Sequence, residues 1–501
     1  MTNRRRTYAA VILLAGTVLG GGRVPQRVTI YLIGDSTMAD KPIIDNPERG
    51  WGQMFPRFFD DGVVIRNHAR NGRSTKSFIE EGRWNAVVRE LKPGDYVFIQ
   101  FGHNDAKRDD STRFAAPQTT FRHNLLRFVK ETRSAGAMPV LLTPVHRRKF
   151  DSTGQLIDQH GLYASVVREV ARDEHVPLID LHERSRDLFE RAGPEGTKSI
   201  FLWIRPGLYP SLPQGKEDNT HFTKYGAVKV AELVIQGLID LGLPVATHRK
   251  AFAPDSLPGL GKIVTLDYYY NCEWKKVNTT LVQFHYVWED TANSGFSELA
   301  RTIDDLGAGV VGLHRAPSLE DLRKTSVYII VDPDTQAESD QPHSIEPEAR
   351  RDISQWVREG GALVLMGNDS GNAEFPHLNE LACSFGIQFN GDSHHHVVGR
   401  EYDLGKSADL PVHPIFTDVK QIFTKEISSL RLAPPAEPIL KERGLVLMAS
   451  SRAGKGVVFA VGDPWLYNEY IDARRLPSEF ENRKAGENLF RWLLGQAGRV
   501  P

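Results

Sequence analysis

Apolar residues in the first half of the chain form short runs, separated by longer stretches in which they recur every three or four positions. Five short runs predict strands: Val28–Ile33, Val63–Asn67, Tyr96–Phe101, Pro139–Thr143 and Val176–Leu181. Three sets at helical spacing predict helices: Phe121, Leu125, Phe128 and Val129; Leu162, Val166, Val167 and Val170; and Val230, Val234, Leu238 and Leu241. Alternating strands and helices favour a parallel sheet covered on both faces. The first half is therefore predicted to be an α/β domain.

The second half repeats this alternation after a segment rich in proline. Pro244–Gly261 carries three prolines and little periodicity, which is typical of a linker. The strand candidates beyond it are Lys262–Asp267, Leu281–Val287, Val310–Leu313, Val327–Val331, Ala362–Met366 and Gly456–Val461. The helix candidates are Gly295–Leu306, Glu346–Glu359 and Lys484–Leu494. We therefore predict a first domain over residues 26–245, a linker over 246–261 and a second α/β domain over 262–498.

The composition narrows the class of protein. At 501 residues the chain exceeds one ordinary domain. An apolar fraction of 40% and a charged fraction of 25% are typical of soluble globular proteins. The net charge of −1 gives no overall basic field, so no nucleic-acid partner is expected. Cys272 and Cys383 are compatible with a disulfide, although two buried free thiols are the favoured interpretation.

The first residues have the pattern of a secretory signal peptide. Arg4–Arg6 supply positive charge, Tyr8–Leu19 form an apolar run too short to span a membrane comfortably, and Val18–Gly20 offer a cleavage site. We therefore expect residues 1–22 to be removed during export. The mature protein is expected to be secreted or periplasmic, with no membrane attachment.

Four short polar segments contain the residues of one enzyme site, and three of them directly follow predicted strands. They are Gly34-Asp35-Ser36-Thr37, Asn71-Gly72-Arg73-Ser74, Gly102-His103-Asn104-Asp105 and Asp218-Asn219-Thr220-His221. Parallel α/β sheets bind ligands at the carboxyl ends of their strands, so the first three segments are expected to lie together. Each segment alone is ordinary turn chemistry, but the four together favour ester hydrolysis.

The residue types match the steps of that reaction. A serine hydroxyl such as that of Ser36 needs a base as it attacks, and the imidazole of His221 suits this role. Asp218, three residues upstream in the same predicted loop, can accept from the other ring nitrogen and fix the tautomer. Three donors can stabilise the negative oxygen of the intermediate: the backbone N–H groups of Ser36 and Gly72 and the side-chain amide of Asn104.

The first half resembles the SGNH (GDSL) hydrolases and, within them, the rhamnogalacturonan acetylesterases. The matching stretches are Ile33–Met38, Trp51–Gln53, Asn67–Phe78, Gln100–Asp105 and Asp218–Phe222, within a region from about Val28 to Leu243. The resemblance implies a flavodoxin-like three-layer α/β/α fold. It also implies a catalytic triad of Ser36, Asp218 and His221 and an oxyanion hole of Ser36, Gly72 and Asn104. No cofactor or metal is expected.

The second half resembles a class I glutamine-amidotransferase-like domain and the C-terminal domain of some unsaturated rhamnogalacturonyl hydrolases. The second resemblance lies around Asp267–Asn271 and Val461–Glu469. An amidotransferase needs a cysteine on a strand–helix turn, but the comparable Gly367–Gly371 has none, and Pro464 replaces serine after Gly462-Asp463. The second domain is therefore predicted to be non-catalytic. The His394–His396 run favours a solvated loop over a metal site, since adjacent strand side chains point apart.

Basic and aromatic residues near these segments are candidate substrate contacts. Arg73 follows the oxyanion glycine, and Arg147 and Arg148 follow the fourth strand. They suit a galacturonate-containing polyanion, because arginine pairs with carboxylates, but a solvated loop is an equal alternative. Trp51 and Phe78 are candidates for stacking on sugar rings, or for packing at the rim of the site.

Three classes of function fit the sequence. The favoured one is a secreted carbohydrate esterase that removes O-acetyl groups from a plant cell-wall polysaccharide, most of all rhamnogalacturonan. A broader acetylxylan or acetyl esterase, or another GDSL-type lipolytic esterase, is the alternative, although no long apolar lid segment is visible. A carbohydrate-binding protein with a decayed site is disfavoured, because every catalytic position is filled. The expected partner is an acetylated polysaccharide or oligosaccharide.

Overall fold

The computed structural model describes residues 27–252 and 257–498, so the predicted signal peptide lies outside the described residues. The strands are β1 Val28–Gly34, β2 Glu48–Arg49, β3 Val63–Asn67, β4 Tyr96–Gln100, β5 Met138–Leu142, β6 Leu178–Ile179, β7 Phe201–Ile204, β8 Lys216–Thr223, β9 Ile263–Asp267, β10 Trp274–Val277, β11 Thr280–Gln283, β12 Gly309–Leu313, β13 Val327–Val331, β14 Ala362–Met366, β15 Ile387–Phe389, β16 Lys406–Ser407, β17 Ile422–Phe423, β18 Leu430–Leu432, β19 Glu437–Glu442, β20 Leu445–Ala453 and β21 Gly456–Val461. The α-helices are α1 Trp51–Met54, α2 Thr75–Glu80, α3 Arg83–Glu90, α4 Arg122–Ser134, α5 Gly161–Asp173, α6 Leu181–Gly196, α7 Lys224–Asp240, α8 Ser297–Asp305, α9 Leu319–Leu322, α10 Pro347–Glu359, α11 Phe375–Cys383, α12 Asn468–Ile471 and α13 Asn482–Gln496. Among these helices, none is both long and apolar enough to cross a membrane.

The first half is built on a five-stranded parallel sheet with the order β3-β1-β4-β5-β6. This order is that of flavodoxin-like folds, with a topological switch point between β1 and β4. The predicted α/β fold with a parallel sheet is confirmed. Because β1 lies between β3 and β4, the segments that follow these three strands share one edge of the sheet.

Alternating side chains of this sheet build two cores. On one face, Ile30 and Leu32 of β1 pack with helices α1, α6 and α7. On the other, Tyr31 and Ile33 pack with helices α2 to α5. A strand that is buried on both faces needs apolar residues at consecutive positions, and this is why β1 reads as one apolar run.

A small antiparallel sheet, β2-β8-β7, carries the Asp218–His221 segment. The prediction of a loop there was wrong: these residues lie within β8. The pairing is irregular, however. Phe201 of β7 pairs with Phe222 of β8, but Trp203 of β7 pairs with Glu217 of β8. An advance of two residues along β7 therefore corresponds to an advance of five along β8. The extra residues form a bulge, and a bulge redirects side chains away from the regular alternation.

Some predicted boundaries were also wrong. The fifth strand is reduced to Leu178–Ile179, and Leu181 begins α6, where Asp180 accepts a hydrogen bond from the backbone N–H of Glu183. In the second half, the predicted strand Leu281–Val287 is a short hairpin strand over Thr280–Gln283. The helical positions Leu162 and Leu241 are exposed rather than in the core.

The second half contains a nine-stranded mixed sheet. Five parallel strands, β12-β9-β13-β14-β21, continue into the antiparallel strands β20, β18 and β15, and β19 pairs with β20. Helices α8 and α13 cover one face, and α10 and α11 cover the other. This is a second α/β sheet, while its resemblance to glutamine amidotransferases stays a prediction.

The two sheets are joined through a buried ionic contact. Asp304 of α8 binds Arg49 at 2.7 Å and Lys224 at 2.5 Å, and all three side chains are almost fully buried. Burial lowers the pKa of Lys224 to about 7, while the charge of Asp304 opposes this shift. Residues 244–248 form a short 3-10 helix whose Val245 packs in the core of the first half. The predicted linker therefore starts by packing on the first domain.

The cysteines and the histidine run have separate surroundings. Both cysteines are free, but Cys272 is half-buried and Cys383 is exposed, so the prediction of two buried thiols was wrong. His394 binds Asp392, whereas His395 binds Thr424 and Glu442.

Candidate active site

Ser36 lies in the turn that directly follows β1, beside the fully buried Asp35. One Asp35 carboxylate oxygen accepts from the Thr37 backbone N–H at 2.9 Å and from its hydroxyl at 2.8 Å. The other lies 3.2 Å from Nδ1 of His103. Burial opposes ionisation of Asp35, but His103 and Thr37 outweigh it and lower the pKa of this carboxyl. The turn that presents Ser36 is therefore fixed by a buried carboxylate.

Ser36, His221 and Asp218 form a continuous hydrogen-bonded chain. Nε2 of His221 lies 2.9 Å from Oγ of Ser36, and Nδ1 lies 2.8 Å from Oδ2 of Asp218. Oδ1 of Asp218 accepts from the backbone N–H groups of Thr220 and His221, which hold the bulge of β8 in shape. Burial alone would raise the pKa of Asp218, but the hydrogen bonds and charge of His221 lower it well below its usual range. An ionised Asp218 fixes the His221 tautomer whose Nε2 can accept the serine proton.

Gly72 and Asn104 lie in the turns after β3 and β4. Gly72 has a φ of +74°, a conformation that favours glycine. The Asn104 amide donates to the carbonyl of Arg73 at 3.1 Å, which joins the two turns. Because an amide nitrogen carries two hydrogens, the second remains for a ligand oxygen. Both turns follow strands that pair with β1, so they lie at the same sheet edge as the Ser36 turn, and the oxyanion hole stays a prediction.

Asp105 also holds these turns together, a role that the sequence analysis did not assign. Its Oδ1 accepts from the backbone N–H of Thr75 at 2.9 Å and from the Thr75 hydroxyl at 2.5 Å. Burial raises its pKa to about 7. In the sequence, the position of Asp105 directly after Asn104 could have indicated this role, since a buried carboxyl beside such a turn can orient its backbone.

Comparisons with known proteins identify the family of the region that contains these residues. Residues 32–224 match the GDSL-like lipase/acylhydrolase family. Rhamnogalacturonan acetylesterase RhgT of Bacillus subtilis is 44% identical over 221 residues, which make up 44% of this chain and 94% of that protein. The chain belongs to the GDSL-like lipase/acylhydrolase family.

Two further proteins are similar to this GDSL hydrolase. The probable rhamnogalacturonan acetylesterase YesY of Bacillus subtilis is 37% identical over 216 residues, covering 43% of this chain and 94% of that protein. The crystal structure of Bacillus subtilis YxiM is 28% identical with a TM-score of 0.37, and the match covers 44% of this chain and 58% of that chain. The predicted membership of the SGNH/GDSL hydrolases is confirmed, and the protein is a carboxylic ester hydrolase.

Two predicted substrate contacts of this hydrolase were wrong. Trp51 and Phe78 are both fully buried, so neither can stack on a sugar ring. Trp51 donates from its indole N–H to Gln100, whose amide donates to the Thr37 hydroxyl, so Trp51 supports the nucleophile turn from beneath. Phe78 packs edge-on against Phe101 in the core. The sequence does not distinguish an aromatic residue that faces the site from one that packs in the core beneath it.

Arg148 is largely engaged by the protein itself. Its guanidinium lies 4.3 Å from the ring centre of Trp203 and donates to Asn219, Pro194 and Thr197. Trp203 also donates to Asn219 at 3.0 Å. Arg148 therefore supports the strand that carries His221, and the structure gives it a supporting role in place of the predicted free contact with substrate.

Positive charge nevertheless gathers beside the oxyanion turns. Arg147 is half-buried and faces the charges of Asp35 and Asp218. Nη1 of Arg113 lies 3.5 Å from the amide oxygen of Asn104. Partial burial and the charges of Arg113 and Arg147 lower the pKa of Lys107.

Arg73 lies on the same side but pairs with Glu81 at 3.0 Å. Arg113 and Lys107 were missed by the sequence analysis, because nothing in the sequence shows that their loop turns back to Asn104.

Proposed function

We propose that this protein is a serine acetylesterase that removes O-acetyl groups from rhamnogalacturonan. The observation that carries the proposal is the chain of hydrogen bonds from Ser36 through His221 to Asp218, at 2.9 and 2.8 Å. The names of the two Bacillus relatives support the choice of reaction and of polymer.

The reaction proceeds in two halves. Oγ of Ser36 attacks the acetyl carbonyl carbon while Nε2 of His221 takes the hydroxyl proton. The carbonyl oxygen becomes negative and accepts from the backbone N–H groups of Ser36 and Gly72 and from the amide of Asn104. His221 then gives its proton to the departing sugar oxygen, leaving an acetyl-serine. Water attacks this ester by the same steps in reverse order, and acetate leaves.

The choice of an acidic polymer rests on the positive charge around the oxyanion turns. The charges of Arg113 and Arg147 act on Lys107 in a chain whose net charge is only −1, and Arg113 also pairs with Asp110 at 2.5 Å. Galacturonate residues carry one carboxylate each, and an arginine fork can bind a carboxylate through two hydrogen bonds. A neutral polymer such as xylan would gain nothing from these cations. Export, with removal of residues 1–22, is part of the same proposal, since the polymer lies outside the cell.

The test compares acetate release from acetylated rhamnogalacturonan, acetylated xylan and p-nitrophenyl acetate. We expect the first polymer to be preferred, and we expect salt to weaken its turnover selectively because screening acts on exposed charges. The double variant Lys107→Gln/Arg113→Gln should lower the ratio of pectic to p-nitrophenyl acetate activity about tenfold, as loss of a charged hydrogen bond does. Arg172→Gln, an exposed position on α5, is the matched control and should leave the ratio unchanged. Equal turnover of xylan without salt dependence would contradict the choice of polymer and leave a broader acetylesterase.

A further inference from the structure

Three side chains from separate elements meet beside the carboxyl edge of the first sheet. His146 follows β5, Asp158 precedes α5, and His182 lies in the first turn of α6. Each offers one ligand atom, and these atoms all lie within 4.8 Å of one another. The proposed reaction uses none of the three, so their convergence needs another explanation.

His182 is oriented as histidine ligands of metals usually are. Its Nδ1 lies 3.1 Å from the carbonyl oxygen of Pro144, so this nitrogen carries the proton and donates it. The other nitrogen, Nε2, then faces Oδ1 of Asp158 at 3.3 Å. Two atoms bearing lone pairs repel each other at this distance unless a proton or a cation lies between them. A backbone carbonyl that holds the second ring nitrogen is the usual outer contact of a metal-bound imidazole.

His146 supplies a second unused nitrogen. Its side chain is 1% exposed, and neither ring nitrogen has a hydrogen-bond partner among the described residues. A buried polar atom without a partner is costly, which favours a ligand at this position.

One of the three contacts already has the spacing of tetrahedral binding. Bonds of about 2.1 Å place neighbouring ligand atoms about 3.4 Å apart. The Asp158–His182 contact is at 3.3 Å. The His146 ring stacks on that of His182 with centres 3.7 Å apart, so His146 must move out of this stack before both rings can face one ion. The Asp158 side chain is 39% exposed, which leaves room for water as the fourth ligand. Arg186 approaches the other Asp158 oxygen, at 4.0 Å, and leaves Oδ1 to the cluster.

We propose that His146, Asp158 and His182 bind a divalent metal ion of the zinc class. Two imidazoles and a carboxylate are a ligand set that zinc accepts, whereas magnesium and calcium prefer oxygen ligands alone. The ion joins residues 144–160 to the start of α6. These residues include Arg148, whose backbone N–H donates to the carbonyl of Asn219 at 2.8 Å in the strand that carries His221. The ion thus has a positioning role beside the catalytic strand and takes no part in the chemistry at Ser36.

The first test measures zinc in the full chain without a histidine tag, after removal of metal with a chelator and titration with Zn²⁺. We expect one zinc per chain, and at a free concentration a hundredfold above the Kd we expect the melting temperature to rise by roughly 5–10 °C. Co²⁺ in the same site should give the strong visible absorption of a tetrahedral ion. Asp158→Asn, at an exposed loop position that keeps an acceptor for the His160 N–H, should weaken zinc binding at least about a hundredfold.

Further variants make the test specific. His146→Gln should weaken binding as Asp158→Asn does, whereas His123→Gln, an exposed histidine on α4, should bind zinc like the unchanged chain. Bound zinc should also slow trypsin cleavage after Arg147, Arg148 and Lys149, which reports on the loop itself. A chain that takes up no zinc, or an Asp158→Asn variant with unchanged affinity, would overturn the proposal. The contact between His182 and Asp158 would then be an ordinary ion pair closed by a proton.

Discussion

The two sheets end in the same local arrangement but in different chemical surroundings. β1 runs into Gly34-Asp35-Ser36, and β21 runs into Gly462-Asp463-Pro464. In both, the glycine lies against another strand or turn, since a Cβ would meet Gln100 O at 2.7 Å in the first case and Ser428 O at 1.8 Å in the second. In both, the aspartate is buried; Asp35 accepts hydrogen bonds from Thr37 within its own turn, whereas Asp463 accepts one from the backbone N–H of Lys425 in a separate segment.

The partners of the two aspartates differ. His103 lies against Asp35, and its charge helps to lower the pKa of that carboxyl despite burial. Asp463 accepts from the Lys425 backbone, and burial raises its pKa to about 8. A sheet edge with a glycine and a buried aspartate is therefore a general turn scaffold. The first edge adds the hydroxyl of Ser36, within hydrogen-bond distance of His221, whereas proline takes the serine position at the second edge.

The largest effect should come from removing the hydroxyl at the first edge. Ser36→Ala should lower kcat on p-nitrophenyl acetate by roughly 10⁵- to 10⁶-fold, leaving what the oxyanion donors provide. Ser370→Ala, at an exposed serine that follows β14 in the second sheet, is the matched control and should leave kcat unchanged. Comparable losses in both variants would mean that the second edge takes part in the reaction.

Asp218→Asn should have the next largest effect. The amide cannot hold His221 in the required tautomer, and a loss of about 10⁴-fold in kcat is typical of this change. The hydrogen bonds that lower the pKa of Asp218 also keep it ionised far into acid, so acid loss of activity should not arise from this carboxyl. Asp463→Asn at the second edge should retain kcat. An Asp218→Asn variant within tenfold of the unchanged enzyme would remove Asp218 from the triad.

The contact between the two sheets gives the third prediction. Asp304→Asn leaves Arg49 and Lys224 buried without their counter-charge, and such a loss typically costs about 3–5 kcal/mol of unfolding free energy. Asp305→Asn breaks an adjacent pair with Arg57, but its side chain is 72% exposed, so we expect about 0–1 kcal/mol. Urea unfolding of both variants measures the difference. Equal costs would mean that the buried contact contributes no more than the surface one.

The smallest effect distinguishes the two buried aspartates by pH. The raised pKa of Asp463 means that the folded chain keeps a proton that the unfolded chain loses above about pH 4. Its contribution to stability therefore falls as pH rises from about 4 to 8. Over that range the free energy of unfolding of Asp463→Asn should rise by roughly 1–3 kcal/mol relative to that of the unchanged chain.

The lowered pKa of Asp35 predicts the opposite sign. Its stabilising effect is present above about pH 4 and is lost as pH falls through the folded-state pKa. Asp35→Asn should therefore be less stable than the unchanged chain at neutral pH, and this difference in unfolding free energy should shrink in acid. Urea unfolding at several pH values checks both variants. The same pH trend in the two variants would contradict the contrast drawn between the edges.

Several parallel strands could be predicted, and in β13, β14 and β21 complete burial leaves an apolar run in the sequence. Val63–Asn67, Val327–Val331, Ala362–Met366 and Gly456–Val461 were predicted with the observed bounds. The antiparallel strands β15, β18, β19 and β20 were missed. β18, β19 and β20 include exposed or charged positions that break their apolar runs, and β15 is only three residues long.

The candidate site was predictable where chemistry requires particular residue types close to strand ends. The Ser36, Gly72 and Asn104 segments met this condition. Trp51 and Phe78 failed because the sequence does not show which side of a turn an aromatic ring occupies. The cluster of His146, Asp158 and His182 could not be predicted, since only the packing of α6 against the loop after β5 brings the three residues together.

The bulge in β8 makes the catalytic strand sensitive to length and tolerant of sequence. Thr220 contributes its backbone N–H to Asp218, so most side chains at that position preserve the bond. An added or deleted residue between Asp218 and His221 would turn the imidazole to the opposite side of the strand, as a one-residue register shift does. Mutant libraries at this hairpin should therefore vary Thr220 freely while every member keeps the same number of residues. Homologous sequences with an insertion or a deletion between these two positions are therefore not expected to be active esterases.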